Sequence, residues 1–227
     1  MSISQPKLKN PCSKFIEYSG DSGEFHYYDK EEEKKIPVKT KLYFVVLDDL
    51  SNITGFNEKN KAGVYSNEIH SLSNEVLRVK TFKGGIAITG KYKEISDEIK
   101  AIGGKFTKSV YCMLVGKGVV PELVNFKLKG AAFNGWVDKK FDVYTYVVGI
   151  VDFLKAVKGK NEYIVPVFKP FKLTDEILEE AKKLDVVLQK YLAEYKAQIP
   201  ETEIAKAESV ESNEIESKGE WQKENLK

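Results

Sequence analysis

The chain has 227 residues and a formal net charge of only +2, so its total charge points to no class of partner. Its two cysteines, Cys12 and Cys112, lie far apart in the sequence, which argues against a disulfide framework or a zinc site and favours a reducing compartment. The apolar runs are far too short to cross a bilayer, and we expect no secretory signal in the first thirty residues.

The first half of the chain predicts strands joined by polar turns. Residues 14–18 and 24–28 flank a glycine-bearing turn, which is the pattern of a hairpin, and a charged loop is predicted over 29–35. A continuous apolar run at 42–47 predicts a strand buried on both sides. Further strands are predicted at 64–69, 76–82 and 86–89.

The second half mixes helices with strands. Ile95, Ile99 and Ile102 form one apolar stripe, which predicts a short helix over 94–102. Thr174 can cap a long helix that ends near Ile199. Strands are predicted at 108–115, 123–129, 143–151 and 162–168, with a Lys-rich loop between the last two and a turn or single helical turn at 130–136.

This order predicts a mainly β fold. Because a short helix is inserted among the strands, we expect an OB-fold-like barrel. The OB-fold has five strands and more are predicted here, so we expect an elaborated version of it. The expected organisation is an OB-like nucleic-acid-binding domain over 1–172, a C-terminal helix over 173–197 that packs on it, and an acidic tail over 198–227. The tail holds too few apolar side chains to order itself, so we expect it to be disordered.

The near-neutral total hides a segregated charge. Residues 34–172 carry 24 basic and 13 acidic side chains and hold 18 of the 26 aromatic residues, whereas both flanks are acidic. A polyanion whose bases can stack on rings is the partner that suits both features. Arg78 is the only arginine, which favours neutralisation of phosphates by lysine over bidentate reading of bases.

Two strands are predicted to present this surface. Arg78, Lys80 and Phe82 would share one face of the strand over 76–82, and Asn125, Lys127 and Lys129 would share an outward face of the strand over 123–129. Each aromatic candidate is equally compatible with a place in the core. The candidate nucleic-acid-binding residues are Arg78, Lys80, Phe82, Lys83, Lys91, Lys93, Lys105, Phe106, Lys108, Tyr111, Lys127, Lys129 and Trp136.

Catalytic signatures do not accompany these residues. The sequence contains neither a Gly-x-Ser-x-Gly motif nor a Walker-type phosphate loop, and His26 and His70 are its only histidines. We therefore expect no enzyme, no cofactor and no resident metal. A weaker alternative is a nuclease, in which Asp48, Asp49 and Glu68 would hold a magnesium ion.

Five segments are distinctive as a set. The chain resembles, over roughly residues 12–140, a family of bacteriophage single-stranded DNA-binding proteins found in crAss-like and related phages. The resemblance implies an OB-like fold, a role in protecting single strands during phage DNA replication or recombination, and a location in the cytoplasm of the infected bacterial host. The segments that carry it are LDDLSNITGF at 47–56, YSNE at 65–68, KGG at 83–85, IKAIGGKFTKSVY at 99–111 and LKGAAFNGW at 128–136.

Replicative single-strand binders usually end in an acidic tail that recruits other proteins. Residues 197–227 match in charge, so phage replication or recombination proteins are expected partners, although Lys223 and Lys227 after Trp221 depart from that pattern. We expect no membrane partner. The alternative function is a non-enzymatic protein–protein interaction or virion component with a basic β surface, in which the long helix could serve oligomerisation.

Overall fold

The computed structural model describes residues 8–38, 41–82 and 87–198. These residues form a mainly β fold with a long C-terminal helix, as the sequence predicts. The helices are α1 (Tyr92–Ala101), α2 (Ala131–Asp138) and α3 (Asp175–Ala197). The strands are β1 (Lys14–Ser19), β2 (Glu24–Asp29), β3 (Lys34–Pro37), β4 (Leu42–Asn57), β5 (Ala62–Ser66), β6 (Leu77–Thr81), β7 (Ala87–Gly90), β8 (Gly104–Val115), β9 (Leu123–Leu128), β10 (Val147–Lys158) and β11 (Asn161–Phe171).

Three local predictions differ from the structure. Part of the predicted charged loop is strand β3, which pairs with β2. Residues 131–138 form a full helix instead of a single turn. The loop predicted between the last two strands belongs to a long hairpin, because β10 and β11 pair as far as Lys158 and Asn161. Gly159 closes that hairpin with φ of 65°, a conformation that glycine adopts without strain.

Strand β4 organises the sheet. β8 pairs with it from Tyr43 to Gly55, whereas its other edge is shared between β10 near Leu42 and β5 near Asn57. The described strands follow the order β3-β2-β1-β9-β8-β4-β5-β6-β7, and β10 and β11 branch off at β4. This path is open between β3 and β7, so the barrel of an OB-fold is not confirmed over the described residues.

The two faces of the sheet are covered by different elements. On one face, α2 and the start of β10 enclose a core that includes Phe44, Phe126 and Trp136. Further along the same face, α1 packs its isoleucine stripe against β4, β6 and β7, as the predicted helix over 94–102 requires. The opposite face is covered by α3, whose Leu188 and Leu192 bury against the sheet.

Helix α3 begins as the sequence predicts. The Thr174 side chain accepts a hydrogen bond from the backbone N–H of Ile177 at 3.5 Å, and Asp175 and Glu176 occupy the first turn, where the helix dipole favours acids. Burial of each α3 leucine contributes roughly 1.5–3 kcal/mol. The predicted tail beyond Gln198 lies outside the described residues, and none of the described helices is long and apolar enough to cross a membrane.

Candidate nucleic-acid interface

One row of side chains crosses the sheet on the same face as α3 but beyond the end that the helix covers. Thr54 of β4 lies opposite both Lys105 of β8 and Tyr65 of β5, and Tyr65 in turn lies opposite Lys80 of β6. Directly opposed residues of antiparallel strands share a face. Lys105, Tyr65 and Lys80 therefore project together, and all three are exposed.

Two further aromatic rings flank this row. Phe56 lies opposite Gly63, and the backbone N–H of Phe82 donates to the Gly63 carbonyl at 2.9 Å. The rings of Phe82 and Tyr65 meet edge to face, with centroids 6.4 Å apart. Phe56 is 48% exposed, Tyr65 45% and Phe82 82%, which is unusual for rings of this size in a folded sheet. We call Phe56, Tyr65, Lys80, Phe82 and Lys105 the aromatic–lysine face.

Gly63 leaves a gap within this face. Its neighbours across the strands are Phe56 on one side and Phe82 on the other. Apart from Gly63 itself and its two chain neighbours, no described residue has an atom within 4 Å of the place where a Cβ of Gly63 would stand. Since strands lie about 4.8 Å apart, the backbones of the two phenylalanines are separated by roughly 10 Å, which leaves width for a flat aromatic group between their rings.

The position of Phe56 is fixed by a close approach of two backbones. Gly103 has φ of 80°, and a Cβ on it would stand 2.2 Å from the Phe56 carbonyl oxygen. A Cβ on Gly55 would stand 2.1 Å from the carbonyl oxygen of Gly103. The end of β4 therefore packs directly on the turn between α1 and β8, and only glycine fits at both positions.

The same sheet face continues under α3 as a buried polar cluster centred on Glu68. The Glu68 carboxylate accepts hydrogen bonds from Ser109 Oγ at 2.6 Å, Tyr111 OH at 2.5 Å and Lys127 Nζ at 2.7 Å. Its backbone N–H donates to the hydroxyl of Tyr195 at 3.2 Å, which ties the last turn of α3 to the sheet. Burial alone would raise the pKa of Glu68, but the Lys127 charge and these hydrogen bonds hold it below its usual value.

This cluster corrects two of the predicted site residues. Tyr111 is fully buried, and its hydroxyl is committed to Glu68, so its ring has no free face for a base. Lys127 does lie on the predicted face of its strand, but α3 covers that face, and Asn125 beside it is also buried. The alternating polar residues of this strand therefore belong to a buried hydrogen-bond network and do not form a solvent-exposed face.

Trp136 is a third correction. The side chain is 3% exposed and belongs to the core on the opposite face of the sheet. Its ring packs edge to face on Phe168, with centroids 5.2 Å apart, and is inclined by 23° to the ring of Phe44, with centroids 6.5 Å apart. Trp136 therefore stabilises the fold and does not present a stacking surface.

The remaining predicted residues are spread over other surfaces. Lys108 lies on the α1 and α2 side and pairs with Asp49 at 2.9 Å, and Lys129 pairs with Glu17 at 3.2 Å. Arg78 lies one row from Lys80 but is only 8% exposed. Phe106 is half-buried between Tyr92 and Phe133, Lys91 and Lys93 lie at the start of α1, and Lys83 falls outside the described residues.

The three carboxylates of the nuclease alternative do not come together. Asp48 accepts from the His70 ring at 3.1 Å, Asp49 pairs with Lys108, and Glu68 pairs with Lys127. Within residues 8–38, 41–82 and 87–198, no group of three His, Cys, Asp or Glu side chains is placed to hold a metal ion. The geometry gives the nuclease no support.

The site predicted from the sequence does not include Phe56, Tyr65 or Gly63. The short segment 62–66 alternates, which places Tyr65 on one face, but the sequence does not reveal that β5 lies between β4 and β6.

Comparisons of the chain with protein-family models, with curated proteins and with solved structures find no match.

Proposed function

We propose that this protein binds single-stranded DNA, with little dependence on sequence, through the aromatic–lysine face. The observation that carries the proposal is the presence of three exposed rings and two exposed lysines on one sheet face. Rings bind any base because every base has a π-face, and lysines follow the phosphate backbone as point charges. Bases in a duplex are already stacked, so this surface favours a single strand.

The gap at Gly63 supports the same proposal. A base entering between Phe56 and Phe82 would contact a ring on each side and meet no side chain below. Tyr65 and Lys80 lie in the adjacent row, where a neighbouring base and a phosphate can contact them. The proposed activity is binding, and it calls for no catalytic group or cofactor.

The resemblance of the sequence extends this proposal to a biological role. We infer that the chain is a phage protein that protects single-stranded DNA during replication or recombination. It would act in the cytoplasm of the infected bacterial host. The OB-like character of the sheet is part of the proposal, supported by the α1 helix inserted between β7 and β8. Residues 198–227 would recruit replication or recombination proteins through their acidic charge.

Binding measured against salt tests the proposal directly. Fluorescence anisotropy of a labelled oligo-dT should show affinity that falls steeply as salt rises, because lysines release counterions from the phosphates. An oligonucleotide of mixed sequence should bind with similar affinity, and a duplex of equal length more weakly. Failure to bind any single strand at low salt would contradict the proposal and favour the alternative of a protein-binding or virion component.

A further inference from the structure

The outer half of the β10–β11 hairpin forms an arm with one open edge. β10 pairs with β4 only from Val147 to Ile150, whereas its pairing with β11 continues to Lys158. Over residues 152–158, β11 is therefore the only strand that pairs with β10 among the described strands. An unpaired edge of this length is a template for pairing with another strand.

The other edge of the arm is already occupied. The backbone N–H of Ile164 in β11 donates to the Gly20 carbonyl at 2.9 Å, and the Ile164 carbonyl accepts from the Tyr18 hydroxyl at 2.9 Å. The Tyr18 ring also stacks on Phe153 of β10, with centroids 6.4 Å apart. The β1–β2 hairpin thus holds the arm in place through β11 and leaves the edge of β10 open.

The backbone groups along this open edge can be assigned. Because the N–H and C=O of Ile164 point away from β10, the opposed pair Lys155–Ile164 is of the non-hydrogen-bonded kind, and the Lys155 backbone groups also point away from β11. Phe153 and Val157 follow the same alternation. The Phe153 N–H donates to the Asp152 carboxylate at 2.8 Å, which agrees with an outward direction.

We infer that this edge binds the same edge of a second copy of the chain, antiparallel, about a two-fold axis at Lys155. The two arms then form one four-stranded sheet in which the outward backbone groups of Phe153, Lys155 and Val157 are paired. The Phe153 N–H exchanges its bond to the Asp152 carboxylate for one to the second copy. We assign the partner as a second copy of the chain because the side chains along this edge are complementary to those of the same edge when it runs antiparallel. The facing pairs are Asp152 with Lys158, Phe153 with Val157, and Leu154 with Ala156.

Charge and apolar pattern select this register. Phe153 is 43% exposed, Leu154 57% and Val157 67%, and in this register each of them faces an apolar side chain of the second copy. Asp152 faces Lys158 at both ends of the paired segment, and opposite charges in facing positions are favourable. A shift of two residues places Asp152 opposite Ala156 in one direction and opposite Lys160, which lies beyond the end of β10, in the other. A shift of one residue turns side chains to the wrong face.

One pair opposes association. Lys155 faces its own copy across the axis, and like charges in directly opposed positions are destabilising. The dimer should therefore be weaker than the two Asp152–Lys158 pairs alone would make it. Replacement of Lys155 by threonine, which suits a strand, removes the repulsion without disturbing the other pairs.

Sedimentation velocity without nucleic acid tests the inference, so its outcome is independent of the proposed function. We expect Asp152→Lys and Lys158→Asp each to weaken dimerisation about tenfold or more, the double variant Asp152→Lys/Lys158→Asp to restore it, and Lys155→Thr to strengthen it about tenfold. Circular dichroism confirms that each variant is folded. A dimer that is indifferent to both single reversals overturns the inference, as does a Lys155→Thr protein that stays monomeric at high concentration.

A cross-link gives a second test. Lys155→Cys should form a disulfide-linked dimer under mild oxidation, because facing Cα atoms in a hydrogen-bonded pair lie about 5.5 Å apart, within reach of a disulfide. The matched control is Lys160→Cys in the same hairpin, at its tip, which has no facing residue in this register. Equal cross-linking of both variants would contradict the register.

Discussion

Lys127 donates to Glu68 across 2.7 Å beneath helix α3, and the two side chains are only 14% and 11% exposed. A lysine that its strand pattern assigns to nucleic acid is therefore a structural cation. Lys80, on the same sheet face but beyond α3, is exposed. The two lysines form a natural pair for separating stability from binding.

Lys127→Met should lower the free energy of unfolding by about 3 kcal/mol, because it leaves the Glu68 carboxylate buried without its counter-charge. The affinity of the folded protein for oligo-dT should not change. Lys80→Met should do the opposite, with little effect on urea unfolding and weaker binding to every sequence. Weaker binding by folded Lys127→Met would show that Lys127 contributes to the binding surface after all.

The exposed rings should contribute stacking energy. Tyr65→Ala and Phe82→Ala are each expected to weaken binding of oligo-dT by about 1–3 kcal/mol, without loss of stability. Tyr28→Ala is the matched control, because Tyr28 is 58% exposed but lies on β2, away from this face. Titration by anisotropy checks all three variants. Equal affinities for the three would place the binding surface elsewhere.

The gap at Gly63 makes a prediction of its own. Gly63→Val should fill the space between Phe56 and Phe82 and weaken single-strand binding about tenfold, while stability holds or rises because valine suits a strand. A variant that binds as tightly as the parent would show that no base enters the gap. Unfolding in urea monitors stability alongside the anisotropy titration.

Trp136→Ala should test the corrected role of the tryptophan. Loss of this buried ring leaves a cavity beside Phe44 and Phe168, and we expect a destabilisation of about 3–5 kcal/mol. Affinity for DNA, measured at a temperature where the variant is folded, should match the parent. Reduced affinity for DNA with unchanged stability would show that Trp136 contributes to DNA binding.

Glu68 should make stability depend on acid pH. The pKa of this carboxyl lies below its usual value of 4.5, because the Lys127 charge and the hydrogen bonds together outweigh the opposing effect of burial. A depressed pKa in the folded state stabilises the fold above the unfolded pKa, and this contribution is lost as pH falls below 4.5 through the folded pKa.

Urea unfolding between pH 7 and pH 3 measures this effect. The stability difference between the parent and Glu68→Gln should shrink as pH falls below 4.5. Glu179→Gln is the control, because Glu179 pairs with Lys182 on the exposed side of α3, where an ion pair adds little. A difference that stays constant with pH would show that Glu68 is not charged in the folded protein.

The sequence predicts an element correctly where a single local pattern is enough to specify that element. The isoleucine stripe of α1 and the Thr174 cap of α3 are local signals, and both are confirmed. Strand pairing is not local, since β1 pairs in parallel with β9, and β10 joins an edge of β4 already shared with β5. The OB-like barrel is an expectation from element order and from the family resemblance, and neither specifies how the strands join.

The sequence by itself determined the mainly β fold, the concentration of lysines and aromatics between residues 34 and 172, and the alternation that puts Lys80 and Phe82 on one face. Tertiary structure alone decided which alternating faces meet solvent. Packing places α3 over Tyr111 and the Lys127–Glu68 pair, encloses Trp136, and brings Tyr65 and Phe56 to the same face as Phe82. Alternation specifies a side of a strand, but whether that side is exposed depends on elements distant in the chain, and only packing brings these together.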